Sequence, residues 1–169
     1  MRLSAENINK KSPYWVIQLD DMLFRFRTKN GITYRVGFQE DKFLKVGNTY
    51  NFFITNMDNQ NAPRDLDVFK VVSLVLEEFF SQDASVMLYI CDPSDHREKA
   101  RSMLYKRWYE NYPRHSELTM RDVEINFSGF IVYSGMIIRN DHPQREQMLA
   151  AFDEFVSRAP SVMDVHPKP

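Results

Sequence analysis

The chain is poor in the residues from which most recognisable sites are built. It holds one cysteine, Cys91, in 169 residues, so no intrachain disulfide can form. A lone thiol suits a reducing, cytoplasmic setting. It holds five glycines, and they make no glycine-rich nucleotide loop. The four histidines, His96, His115, His142 and His166, lack metal-ligand spacing. Neither a metal nor a cofactor is expected. No apolar run approaches the roughly 20 residues of a membrane span. The opening Met1-Arg2-Leu3-Ser4-Ala5-Glu6 has no apolar stretch of signal-peptide length. Charge of either sign is not in excess: 22 basic and 23 acidic residues leave a net −1. That balance argues against a general polyanion binder.

Aromatic residues are plentiful, with thirteen Phe and eight Tyr. Together with 43% hydrophobic residues they can fill a core without staples. Residues 1–12 are polar and read as a mobile arm. Residues 13–157 read as a single domain. Residues 158–169, with Pro160, Pro167 and Pro169, read as a loose tail.

The hydrophobic period gives the element order. Tyr14–Leu19, Met22–Thr28, Ile32–Gln39 and Tyr50–Asn56 alternate as strands do. Arg64–Ser81 is a mostly buried helix with a narrow polar stripe at Asp67, Lys70, Ser73, Glu77 and Ser81. Val86–Cys91 is a fifth strand. Ser94 or Asp95 caps a helix that runs to about Tyr112, where Pro113 closes it. Val123–Phe127 and Phe130–Arg139 are strands joined at Ser128-Gly129. A third helix starts near Pro143 and runs to about Arg158. The expectation is an α+β fold: a mainly antiparallel β-sheet with three helices, in the order ββββ-α-β-α-ββ-α.

The first three strands allow a register. A turn at Asp20-Asp21 sets Ile17 opposite Phe24 and Trp15 opposite Phe26. A three-residue loop at Lys29-Asn30-Gly31 sets Phe26 opposite Tyr34 and Phe24 opposite Val36. The other face then carries Tyr14, Arg25, Arg27 and Arg35, with Arg25 directly opposed to Arg35. Like charges so placed repel. An anion is expected near them, either Glu124 or Asp122 of a neighbouring element or a group on a ligand or partner.

Three further clusters could carry chemistry. Cys91 and Arg97 are separated by five residues, as in the phosphate loop of cysteine-dependent phosphatases. Ile90 and Glu98 depart from that family's pattern, and Asp92 and Asp95 would repel a phosphate. Arg97 and Arg101 lie one helical turn apart. They either pin the Asp92–His96 loop or grip a carboxylate or phosphate. The Arg139-Asn140-Asp141-His142-Pro143 loop repeats this grammar, but topology puts the two loops at opposite ends of the sheet. A metal site shared between Asp92, Asp95, His96, Asp141 and His142 is therefore not expected. In Tyr105-Lys106-Arg107-Trp108-Tyr109, Leu104 and Trp108 point to the core and Lys106 to solvent.

The run Tyr89-Ile90-Cys91-Asp92, with Ser94-Asp95, Arg97, Ala100-Arg101 and Trp108, resembles the signature of a family of small bacterial proteins of unknown function. The resemblance reaches from Tyr34-Arg35-Val36 to Ala151-Phe152-Asp153. It implies that the Cys91–Trp108 segment marks the group, and it implies no activity.

The leading expectation is a non-catalytic binding or regulatory protein that works through a protein partner, with a homodimer as a further arrangement. One alternative is a small enzyme acting on an anionic substrate at Asp92, Asp95, His96, Arg97 and Arg101. Another is nucleic-acid binding through the basic sheet face, which the charge balance disfavours.

Overall fold

The computed structural model describes all residues except 43, 45, 59, 60, 83, 84, 92, 94, 95, 128 and 164–169, and the side chains of 160–163. Seven strands form one sheet: β1 (Val16–Asp20), β2 (Leu23–Arg27), β3 (Thr33–Glu40), β4 (Thr49–Asn56), β5 (Val86–Cys91), β6 (Leu118–Phe127) and β7 (Phe130–Arg139). Their order is β1-β2-β3-β4-β5-β7-β6. β4 and β5 run parallel, while β1–β2, β2–β3, β5–β7 and β6–β7 are antiparallel. The helices are α1 (Ala5–Asn9), α2 (Leu66–Phe80), α3 (Glu98–Asn111) and α4 (Arg145–Met163). The α+β class and the expected order are found, with α1 added in front. α4 runs past Arg158, into the segment expected to be a loose tail. None of the described helices is long and apolar enough to cross a membrane. The chain divides into two compact units: residues 1–39 with 52–83, and residues 40–51 with 84–169.

In the first unit, residues 1–12 are not a loose arm. Ser4 caps α1, its hydroxyl accepting from the Asn7 N–H at 3.2 Å. Leu3, Ala5 and Ile8 are buried. β1 is an edge strand, and edges present unpaired backbone groups that invite aggregation. Here Asn9 covers them. Its amide donates to the Val16 carbonyl at 2.8 Å, and its oxygen accepts from the Val16 N–H at 2.8 Å. Gln18 adds bonds to the Leu3 carbonyl and the Ala5 N–H. The Leu3 N–H reaches the Asp21 carbonyl at 2.9 Å.

This docking sets a register that differs from the expected one. Val16 pairs with Phe26 and Ile17 with Arg25, and the ladder shifts between Gln18 and Asp20. The turn falls one residue later than expected. Because side chains alternate across a strand, one step exchanges the two faces. Val16 enters the core, and Trp15, Ile17 and Leu19 are exposed. The β2–β3 register is as expected: Phe24 faces Val36, Phe26 faces Tyr34, and Arg25 faces Arg35. Gly31 takes the expected left-handed conformation at φ +77. Tyr14, Phe26 and Tyr34 stack in sequence on the inner face. Phe38 stacks on Phe79 of α2 at 4.1 Å.

In the second unit, β5 is covered on both faces. Val86 and Leu88, with Met136 and Ile138 of β7, pack on Met148, Leu149 and Phe152 of α4. Tyr89, on the opposite face, packs on Tyr105 of α3 at 4.7 Å between ring centres. That double burial explains why Val86–Cys91 reads as a continuous apolar run.

Candidate functional site

At the strand-to-helix junction, the described members of the expected cluster are His96, Arg97 and Arg101. Asp92, Ser94 and Asp95 lie outside the described residues. α3 begins at Glu98 after Arg97, which makes no side-chain cap bond. His96 and Arg97 are exposed, and both arginines, Arg97 and Arg101, already have partners. His96 sits in the left-handed region at φ 56, its N–H bonded to the Pro93 carbonyl at 3.1 Å. Cys91 is fully buried. Burial pushes its thiol up to about 12, against the lowering pull of Arg101. A nucleophilic cysteine needs the opposite shift and an accessible sulfur. Cys91 therefore lacks the setting of a phosphatase nucleophile.

Next to Cys91 lies a polar row that sequence reasoning missed. Tyr89, Gly135 and Asp122 stand side by side on β5, β7 and β6. With no side chain on Gly135, the Tyr89 ring lies across β7. Its hydroxyl donates to Asp122 Oδ1 at 2.8 Å. Ser102 donates to the same oxygen at 3.4 Å, and Lys106 Nζ lies 2.5 Å from Oδ2. Burial and the Asp122 bond both push the Tyr89 hydroxyl well above the ordinary tyrosine range. A proton so held is a structural tie rather than an acid ready to leave. The available signal was Gly135 within an apolar strand, which marks a close approach. Lys106, expected in solvent, is thus held by Asp122, while Tyr105 and Trp108 are buried. This helix offers no stacking platform.

The loop after β7 is also internally bonded. Arg139 grips Asp141 through two bonds of 2.9 and 2.6 Å. The buried His142 accepts at Nδ1 from the Gln144 N–H at 3.1 Å. Arg139 lies at the Val86 end of β7, opposite to the end where Cys91 faces Tyr133. Among the described residues no group of His, Cys, Asp and Glu could hold a metal ion.

The outer face of β1–β3 is different. Arg25 and Arg35 oppose each other, and the rung they share is a close one. The Thr28 N–H bonds to the Ile32 carbonyl and the Phe38 N–H to the Met22 carbonyl. Alternation then makes Arg25–Arg35 a non-hydrogen-bonded pair, with Cα atoms about 4.5 Å apart and side chains nearest. Neither arginine has an ion pair or side-chain hydrogen bond among the described residues, and Arg35 Nε is buried without an acceptor. Of the expected acids, Asp122 holds Tyr89 and Lys106, and Glu124 lies near Lys106. Arg27 is engaged, donating through Nε to the Gly31 carbonyl at 3.2 Å. Tyr14 leaves this face altogether. It stacks on Phe26, and its hydroxyl donates to Asp65 at 2.6 Å. In its place the register brings Ile17 opposite Arg25. Trp15, 74% exposed, and Ile17 line a shallow groove of about 550 Å³ against α1 residues Ala5, Glu6, Asn9 and Lys10. At this face exposed apolar side chains stand beside cations that have no partner among the described residues.

No curated protein and no solved structure matches this chain. Residues 64–154, more than half of its length, match the model of a family of unknown function, DUF6169, and the chain belongs to that family.

Proposed function

We propose that this protein is a non-catalytic binding protein whose partner, another protein, docks on the outer face of β1–β3. One observation carries the reading: Arg25 and Arg35 share a close rung, and neither is bonded to an acid among the described residues. Like charges directly opposed cost a few tenths to about 1 kcal/mol. A partner that brings negative charge removes that cost. Exposed Trp15 and Ile17 beside the rung add the mixture of aromatic and arginine side chains enriched at protein interfaces. The face precedes the family-matched residues 64–154, so the family supplies no argument for or against it. With one cysteine, and that one buried, the chain suits a reducing, cytoplasmic compartment.

The test compares proteins that co-purify with the intact chain and with the Arg25→Glu/Arg35→Glu variant from the cells that make it. A discrete protein in fixed ratio to the intact chain, lost from the variant, is the expected result. Identical recovery from both, or recovery of nucleic acid alone, would overturn the proposal.

A further inference from the structure

We infer that the segment docking on this face is acidic and carries one large apolar side chain about three residues from its acid. The carboxylate sits over the Arg25–Arg35 rung, and the apolar side chain enters the groove beside Trp15. The inference rests on the reading of this face as a protein-binding surface and names the chemistry of the occupant.

Charge complementarity selects the acid. Each guanidinium offers a fork of donors that a carboxylate meets in bidentate fashion. Arg25 and Arg35 are the two cations of the face whose forks have no protein acceptor among the described residues. Arg27 is tied to its own hairpin at the Gly31 carbonyl. The acids of the neighbouring turn are occupied as well. Asp20 accepts from the Asp21 N–H, and Asp21 faces Arg2 at 3.5 Å. Among the described residues, no carboxylate is bonded to either guanidinium of the rung.

Ile17 selects the apolar anchor and fixes the spacing. It is directly opposite Arg25 and also lines the groove. One side chain thus belongs to both halves of the surface. Neighbouring strands lie about 4.8 Å apart, so the rung and the groove beyond β1 are separated by about 10 Å, or roughly three residues of extended chain.

The same features argue against other occupants. A second copy bound through this face by twofold symmetry would bring Arg25 and Arg35 against their own like charges. Single-stranded nucleic acid calls for a track of cations and successive stacking rings. This face has one exposed indole, and the chain carries a net charge of −1.

The probe is a library of random short peptides displayed on phage and selected on the intact chain. The expected peptides carry Asp or Glu about three residues from Leu, Ile, Phe or Trp. Their synthetic forms should bind roughly tenfold or more weakly to Arg25→Gln, to Arg25→Gln/Arg35→Gln and to Trp15→Ala. Arg25 is exposed, so the single variant keeps the fold. Acid-poor peptides that need Trp15 and Ile17 but ignore both glutamine variants would overturn the inference and leave the docking face standing. Peptides indifferent to all of these and to Ile17→Asp would overturn both. Tighter binding of an oligothymidylate than of any selected peptide would overturn the protein class of the partner.

Discussion

Tyr89 reaches Asp122 across an intervening strand, its hydroxyl 2.8 Å from the carboxylate, because the residue between them is Gly135. A Cβ on Gly135 would lie 2.3 Å from the Tyr89 Cζ and hydroxyl oxygen. Gly135→Ala therefore has to displace the ring and break the bond. Overpacking and a lost charged hydrogen bond together cost about 2–4 kcal/mol. Tyr89→Phe, which loses the bond alone, should cost about 1–2 kcal/mol. Urea midpoints at unchanged slope measure both losses. A Gly135→Ala midpoint equal to that of the parent would contradict this role for Tyr89.

Stability should fall in alkali. Cys91, Tyr89 and Tyr105 all have folded-state pKa values raised by burial. Groups raised in this way stabilise the fold fully below their unfolded pKa values. That contribution is lost as pH rises, because the unfolded chain releases protons that the folded chain keeps. The loss should begin near pH 9, the ordinary value for the Cys91 thiol, and steepen above pH 10, the ordinary value for the tyrosines. Denaturant midpoints measured from pH 7 to pH 11 should decline less steeply for Cys91→Ala and for Tyr89→Phe. The same shift predicts slow reaction of native Cys91 with a disulfide reagent at neutral pH, and rapid reaction on unfolding.

Asn9 should prove to be an edge guard. Asn9→Ala leaves the Val16 N–H and carbonyl without their 2.8 Å partners. About 1–3 kcal/mol should be lost, and the bare edge should promote association. Hydrogen exchange at the Val16 amide should speed up, and light scattering should rise with protein concentration. Unchanged exchange would show that Asn9 does not hold the edge.

Much of the fold was legible before the structure. Periodicity located the seven strands and three long helices, and the Arg25–Arg35 rung followed from Gly31. What failed shares one cause. Residues 1–12 are polar enough to read as an arm, but Leu3 and Ile8 are buried and Asn9 and Gln18 bond across to each other's segments. Those tertiary bonds shift β1 by one residue. Tyr14 moves from the basic face to the inner face, and Trp15 and Ile17 take the opposite course. No local period carries that information. The Tyr89–Asp122 tie was hidden for a related reason: its partners lie 33 positions apart and meet only once β7 has inserted between them.

The basic rung should trade stability for binding. Arg25→Gln removes a like-charge contact and should raise stability by a few tenths to about 1 kcal/mol. Added salt should stabilise the parent more than the variant, because screening relieves repulsion that the variant no longer has. Thermal melts at low and high salt measure both effects. A destabilised Arg25→Gln variant would mean that the guanidinium has a structural partner.

The most direct measurement is a photocrosslinking scan in the cells that make the protein. A photoreactive residue replaces Leu19, which is exposed on β1 near Ile17 and is not among the contacts assigned to the partner. In separate variants it replaces Met103 of α3 or Phe130 of β7, which are also exposed. The account predicts one discrete protein adduct from Leu19 and none from the other two. Adducts confined to Met103 or Phe130 would contradict it.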